Sequence, residues 1–412
     1  MKTPNSSNNI GVLLLEKPSF ALDRIFDNNL IETKDNEEKV KLLLVRDLFR
    51  INWSIEDAKD RLVISPPIFY NKEIIKQSMS ISRQEILSKN REWIEKHNNL
   101  AKENLAQGKD ILKSEILPRI EICRTKKQHN LFRIFRYYWS SPYSEYVGRR
   151  IRLLIRDDGI DGSPLIGIAA IGSSIIHIPD RDRWIGWDKE TRTNNIIYTM
   201  DVYVLGALPP YNYLLGGKLV SYIIASNEVR ELYKEKYTDV TTIVKRRKAD
   251  DLVCLFTTSL YGNSSQYNRL RFENRLLYIP IGYTSGYGTL HISNETFSAM
   301  HQFLIEQGII LTNRFGDGPN WRMRVIRSAL DIIGFDSDVL LKHSFKRGLY
   351  AVPVARNFRS FLLGKSDKPV YLDLPLGTLT KFWKKRWLCM RKDNINIIER
   401  TLRFNPNDFE IN

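Results

Sequence analysis

Residues 179–237, PDRDRWIGWDKETRTNNIIYTMDVYVLGALPPYNYLLGGKLVSYIIASNEVRELYKEKY, constrain the fold more than any other stretch. A charged, indole-rich turn with Arg181, Asp182, Arg183, Trp184, Trp187 and Asp188 comes first. A β-type run over 196–208 follows, Pro209 and Pro210 break it, and a helix opens around Gly216 and Gly217. This order brings the free N–H groups of a helix N-terminus to the C-terminal edge of a sheet, where they can hold an anion. The site is expected there.

A chain of 412 residues exceeds one ordinary core, so two or three domains are expected. With 42% hydrophobic and 27% charged residues it is globular. No apolar run reaches about 18 residues, and the start MKTPNSSNNIGVLLLEKPSF is too polar for a signal peptide. The expectation is a cytoplasmic bacterial protein with no membrane contact. Cys123, Cys254 and Cys389 are far apart, odd in number and without a CxxC or paired histidine, which argues against a disulfide framework and a zinc site. The net charge of +16 points to a polyanionic partner, DNA or RNA, because the cations cluster with aromatic residues.

In chain order, residues 1–36 read as a loose lead-in. Val40, Leu43, Leu44, Leu48 and Ile51 then recur at helical spacing, and a polar helix is expected over 82–117, ended by Pro118. The segment ICRTKKQHNLFRIFRYYWSS interleaves Arg133 and Arg136 with Phe132, Phe135, Tyr137, Tyr138 and Trp139. It suits either a nucleic-acid surface or a core-facing helix with a solvated basic back. Strands are expected over 149–156 and within LIGIAAIGSSIIHI, joined by the turn DDGIDGSP, with a further strand at 252–260. A helix is expected over 214–237. YGNSSQYNRL leads to a short helix, and LLYIPIGYTSGYGTLHIS gives a last strand or pair. Beyond 309, Arg314, Arg322, Arg324, Arg327, His343, Lys346, Arg347, Arg356, Arg359, Lys381, Lys384, Lys385 and Arg386 alternate with Trp321, Trp383 and Trp387.

Antiparallel strands followed by strand, helix, strand give a mixed α/β layer. That order is similar to the acyl-CoA N-acyltransferase-like fold, in which the cofactor pyrophosphate lies on the helix start after the fourth strand. The resemblance implies an anion cradle at 211–218. The fold's glycine pattern, begun at Asn212, finds Leu215 at its first glycine and Gly217 at its second. RDRWIGWD, RTNN, LGALPPYNYLLGGKL, TTSLYGNSSQYNRL, PIGYTSGYGTLHI and FGDGPNWRMRVIRSAL resemble, in the same order, the DruA family of the Druantia anti-phage defence systems. The resemblance spans about 118–387. YGNSSQYNRL also resembles an element of phage Mom-type DNA-modification proteins, with Asn268, Arg269 and Leu270 where that element has a small residue and a tryptophan. The family resemblance implies phage defence alongside other system proteins, including a helicase-like one.

Three groups of residues are candidates for chemistry. Arg181, Asp182, Asp188 and Arg192, with Trp184 and Trp187, form a turn that could hold a flipped base or phosphates, or an Arg–Asp network that fixes a loop. Tyr211, Asn212, Gly216, Gly217 and Lys218 could cradle a phosphate, or Gly216 and Gly217 could serve close packing. Ser264, Ser265, Tyr267, Asn268 and Arg269 are polar, with Tyr267 a candidate general acid and Ser264 a candidate cap. Asp182, Asp188 and Tyr267 are the catalytic candidates. Arg133, Arg136, Arg322, Arg324, Arg327, Arg356, Arg359, Lys384, Lys385 and Arg386 are the nucleic-acid candidates. His177 and His291 lie in strand-like contexts and read as core histidines. No metal or cofactor is assigned.

The expected architecture is α/β, a mixed sheet resembling the acyltransferase-like fold at 141–308, between a helical region at 1–140 and a basic, aromatic-rich one at 309–412. The expected function is nucleic-acid binding in anti-phage defence. An enzyme that modifies or cleaves phage nucleic acid is the alternative, and self-association is left open.

Overall fold

The computed structural model describes residues 13–16, 35–58, 61–66, 71–141, 146, 148–241, 247–284, 288–289, 291–312, 319–341 and 347–411. They fall into two compact units, one drawn from 1–89, 140–142 and 285–346, the other from 90–139, 143–284 and 347–412. Arg314, His343 and Lys346 lie outside the described residues.

In the first unit, helix Asn36–Arg50 starts where Asp35 accepts the Glu37 N–H (2.9 Å) and buries Val40, Leu43, Leu44 and Leu48. Its buried Asp47 accepts from Ser293 N–H (2.7 Å) and Thr296 Oγ1 (2.5 Å), which fixes the start of helix Asn294–Glu306. Strands Leu13–Glu16, Ser54–Ala58 and Arg61–Ser65 form an antiparallel sheet with the last in the centre.

The second unit is built on a seven-stranded mixed sheet. Numbered along the chain, its strands are β1 (Pro118–Ile122), β2 (Arg150–Asp157), β3 (Leu165–Ser173), β4 (Thr199–Ala207), β5 (Cys254–Ser259), β6 (Ile279–Thr284) and β7 (Arg347–Pro353). The order across the sheet is β6-β7-β5-β4-β3-β2-β1, and every neighbouring pair is antiparallel except β4 and β5. That pair is parallel from Thr199↔Cys254 to Asp201↔Phe256. Beyond Asp201, β4 follows β3 and β5 follows β7, so the two strands splay.

The helices that matter for the site are α1 (Lys126–Tyr138), α2 (Pro179–Ile185), α3 (Lys189–Asn195), α4 (Gly216–Ile224), α5 (Asn227–Tyr237), α6 (Phe358–Leu362) and α7 (Leu376–Trp383). Period-two alternation sends neighbouring side chains of β5 to opposite faces. Leu255 packs in the core formed with α4, α5 and α7, whose Leu219, Tyr222, Tyr233 and Trp383 are buried. Cys254 and Phe256 face a second core with Ile185, Trp187, Phe361 and Leu362. The sheet is therefore covered on both sides, the arrangement expected of a mixed α/β layer.

Several local expectations change. The helix expected over 82–117 is divided into Ser80–Lys89, Arg91–Lys102 and Gly108–Lys113, and Pro118 opens a strand. The helix over 214–237 is broken at Ala225, where Ser226 accepts the Val229 N–H and starts α5. The indole-rich turn is a helix, with Pro179 in its first turn and Gly186 at φ 93° as its C-terminal cap. No helix among the described residues is long and apolar enough to cross a membrane. Cys123 and Cys254 are buried, Cys389 is exposed, and none of the three is disulfide-bonded.

Candidate functional site

Arg181 is the organising side chain of one cluster. It is fully buried, its guanidinium 5.5 Å from the Trp187 ring and 5.6 Å from that of Phe256. Nε and Nη2 donate to Asp182 Oδ1 (2.9 and 2.8 Å), Nη1 to the Ile175 carbonyl (2.7 Å) and Nη2 to that of Ile176 (3.1 Å). On the other oxygen of Asp182, Arg192 Nη1 and His177 Nδ1 each lie at 2.9 Å. Burial alone would raise the Asp182 pKa, but the Arg181 charge and these hydrogen bonds hold it below the usual carboxylate range. Asp182 is thus a saturated, ionised acceptor.

His177 differs from the core histidine expected. It lies in the loop after β3, its side chain is 61% exposed, and Nδ1 faces Asp182. Arg192 Nη1 is also 2.8 Å from Nδ1. A carboxylate is the stronger acceptor, so the coherent assignment has Nδ1–H and Arg192 both donating to Asp182, which leaves Nε2 as the outward atom. His291 is buried, and its burial lowers its pKa to about 4.

Asp201, which the sequence reading passed over, lies where β4 and β5 part. Oδ2 accepts the Ile175 N–H (2.9 Å). Burial pushes its pKa up to about 6, against the pull of the Ile175 N–H and Arg181. A carboxyl with a raised folded pKa adds stability that is complete below its ordinary value and disappears as pH rises through about 6. Above that pH the buried charge costs on the order of 3 kcal/mol, at about 1.36 kcal/mol per pH unit. Asp201→Asn keeps an oxygen for Ile175. It is expected to match the wild type near pH 4 and exceed it by about 2–3 kcal/mol at pH 8 in denaturant titrations. An equal difference at both pH values would contradict this account.

The remaining residues of the turn serve packing and capping. Trp187 Nε1 donates to the Leu362 carbonyl (2.7 Å), and Asn195 Nδ2 donates to the same oxygen (2.9 Å). Asp188 caps α3, accepting Thr191 N–H (2.7 Å) and Oγ1 (3.1 Å). Trp184 stacks on Phe358 at 5.4 Å, and the Arg359 guanidinium lies 4.8 Å from the Trp184 ring. Asp180 Oδ2 accepts the Tyr283 N–H (2.8 Å), and Gly282, at φ 141°, leaves room for it: a Cβ there would fall 2.2 Å from that oxygen.

The cradle and the Tyr267 group lie on the other face. Tyr211 is buried, and its hydroxyl donates to Asp157 Oδ2 (2.7 Å). Asn212 is exposed, and Leu215 stands at φ 60° just ahead of Gly216. Lys218 Nζ donates to the carbonyls of Ser265 (2.6 Å), Gln266 (3.3 Å) and Asn268 (3.3 Å), and lies 4.6 Å from the Trp387 ring. Burial and neighbouring arginines lower its pKa to about 8. Gln266 bridges the splay, donating to Ser221 Oγ (2.9 Å) and the Leu205 carbonyl (3.4 Å), and a Cβ on Gly217 would stand 3.2 Å from its side-chain oxygen. The start of α4 is therefore covered by the chain's own residues 264–268.

YGNSSQYNRL leads into the short strand Arg271–Phe272 instead of the expected helix: the carbonyls that would propagate a helix are engaged by Lys218, and Arg269 sits at φ 62°. Tyr267 is 7% exposed, stacked 5.1 Å from Tyr278, and burial raises its pKa to about 12. Asn268 Oδ1 accepts the Tyr350 hydroxyl (2.9 Å), and Ser264 Oγ accepts the Gln266 N–H (3.2 Å). Phe256 touches Arg181, whereas Thr257 hydrogen-bonds Tyr267. Tyr267 and Asp182 thus belong to opposite faces of the sheet and do not share one site.

The basic residues divide by exposure. Arg133 donates to Asn90 (2.8 Å) and Tyr137 (2.9 Å) and lies 4.3 Å from the Trp93 ring, while Arg136 is buried. In the first unit, Arg322 donates to the carbonyls of Ile292 (2.6 Å) and Ser293 (3.1 Å), Arg324 to that of Thr312 (3.1 Å), and Arg327 pairs with Asp338 (3.0 Å). Lys384 pairs with Glu115 (2.6 Å). Arg356, Arg359, Lys385 and Arg386 are exposed. Arg183, Lys189, Lys365 and Lys368 are exposed as well, on or beside α2, α3 and α6.

Fold and site define an α/β protein with a two-faced mixed sheet, a braced Arg–Asp–His cluster on one face and a cationic, ring-bearing rim beside it. The family model for Druantia protein DruA matches residues 70–364. A Druantia protein DruA of Escherichia coli (strain UMEA 4076-1) is 34% identical over 325 residues, 78% of this chain and 80% of that one. The chain belongs to the DruA family, and with it to the components of Druantia anti-phage defence. No solved structure matches.

Proposed function

We propose that this DruA-family chain binds nucleic acid through the rim of α2, α3 and α6, and that it works with other Druantia proteins, including a helicase-like subunit. The supporting observation is the Trp184–Phe358 stack with Arg359 against it, flanked by exposed Arg183, Lys189, Arg356, Lys365 and Lys368. Rings that accept bases and cations that meet phosphates are what sequence-tolerant binding of single strands requires. The +16 net charge favours the same partner over long range. The fold is read as acyltransferase-like, on the order of β4, the Pro209–Pro210 break, α4 and parallel β5.

The second reading, an enzyme that modifies or cleaves phage nucleic acid, rests on His177, whose Nδ1 is oriented by Asp182 and whose Nε2 is outward. That is the arrangement of a general base positioned by a carboxylate. Titration of the purified chain with labelled single- and double-stranded DNA and RNA at two salt concentrations tests the first reading. Binding that weakens steeply with salt is expected, and absence of binding to all four would reject it. His177→Ala separates the two readings. Unchanged affinity with defence retained supports the binding role, and unchanged affinity with defence lost supports the enzyme.

A further inference from the structure

We infer that β1 is a docking edge for an extended, basic segment of a partner protein. Among the described residues β1 ends the sheet, with β2 on one side and no strand on the other. Asp158 N–H donates to the Leu117 carbonyl and Cys123 N–H to that of Arg152, both at 2.9 Å. Odd-numbered residues of β1 therefore turn their backbone groups toward β2, and Ile120 turns its N–H and C=O outward. These two groups meet no partner among the described residues. A free donor and acceptor on a sheet edge form a template for another strand.

The chemistry of the occupant follows from the cleft along this edge. It encloses about 620 Å³ between β1, the end of β2, α5 and the start of α7. Glu228, Glu231 and Glu235 recur at three- and four-residue spacing on the side of α5 that lines it, and Asp158 and Leu232 line it as well. Arg119 pairs with Asp158, Arg124 with Glu235, and Glu228 accepts the Leu376 N–H, while Glu231 has no partner among the described residues. An acidic groove on a chain of net charge +16 is a local reversal of sign. It repels phosphate and attracts lysine or arginine side chains. Self-pairing of β1 between two copies would bring two glutamate rows together, which disfavours a second copy.

The test is fluorescence anisotropy of the full chain with a labelled decapeptide of alternating lysine and threonine, against an alternating glutamate and threonine control. The lysine peptide is expected to bind and the glutamate peptide not. Glu231→Lys is expected to weaken binding about tenfold through like-charge repulsion at the groove. Ile120→Pro removes the outward donor without touching the β1–β2 ladder, and a comparable loss is expected. Because Glu231 is exposed on a helix, Glu231→Lys carries the test even where Ile120→Pro impairs folding. Equal binding of both peptides, or undiminished binding in both variants, would overturn the inference. So would concentration-dependent dimerisation abolished by Ile120→Pro, because it would make β1 a self-pairing edge.

Discussion

Arg181→Met is expected to lower the stability of the sheet-bearing unit by about 3–5 kcal/mol, the usual consequence of removing one partner of a buried ion pair. The guanidinium is fully buried, and it satisfies Asp182 Oδ1 and the carbonyls of Ile175 and Ile176 together. Methionine fills much of the space between Trp187 and Phe256 but donates nothing. Asp182 Oδ1 and two carbonyls then lose their donor, and Asp201 loses a neighbouring positive charge. The pH dependence gives a second check. The folded pKa of Asp182 is depressed, so its contribution is present above the ordinary carboxylate range and is lost as pH falls through the folded value. The gap between variant and wild type should therefore be largest near pH 7 and narrow in acid. Adding Asp182→Leu should deepen the loss, since Arg192 and His177 would then lose the carboxylate oxygen to which they donate. Guanidinium unfolding followed by tryptophan fluorescence measures all of this. A loss under about 1 kcal/mol, the size of a surface pair, would show that the cluster is not a buried brace.

How much of this was legible depends on whether neighbours in sequence or in space decide the outcome. Helix Asn36–Arg50 was readable, because a cap and an apolar period are local features. β2, β3 and β4 were readable from their β-branched runs. β7 was not, because GLYAVP sits among cations that drew attention to charge, although the strand pairs with both β5 and β6 inside the sheet. The Arg181–Asp182 contact lies between adjacent residues and could be anticipated. His177 could not, since its histidine lies just past a buried strand and only the end of β3 at Ser173 exposes it. Asp201 was hidden for a related reason: one carboxylate in an apolar strand reads as surface alternation, whereas Ile175 and Arg181, from earlier in the chain, lie beside it. Tyr267 and Asp182 were both catalytic candidates from the sequence. The alternation of Phe256 and Thr257 puts them on opposite faces.

Replacing Arg356, Arg359 and Lys365 together with glutamine is expected to weaken nucleic-acid binding on the order of 10²- to 10³-fold at 0.1 M salt. Each neutralised phosphate contributes a slope of about 0.7 for single strands and about 0.9 for duplex, hence roughly 5- to 8-fold per contact at that concentration. The slope of log affinity against log salt should fall by about 2–3 for the same reason. All three side chains are exposed, so the fold should not suffer. Glutamine at 359 keeps an aliphatic stem against Trp184 while removing the charge, so a loss of affinity reports electrostatics more than lost packing. The competing surface lies at Lys385 and Arg386, whose cations are exposed near Trp387. Lys385→Gln with Arg386→Gln is therefore the informative control. If that pair lowers the slope and the triple does not, the nucleic acid lies along residues 384–388, just after α7, instead. If neither changes it, the positive charge is not read by phosphates at either place. If the triple lowers the slope and Trp184→Ala lowers affinity without changing it, rings and cations of one rim divide the work: phosphates set the salt dependence, and stacking of about 1–3 kcal/mol per base adds to it independently of salt.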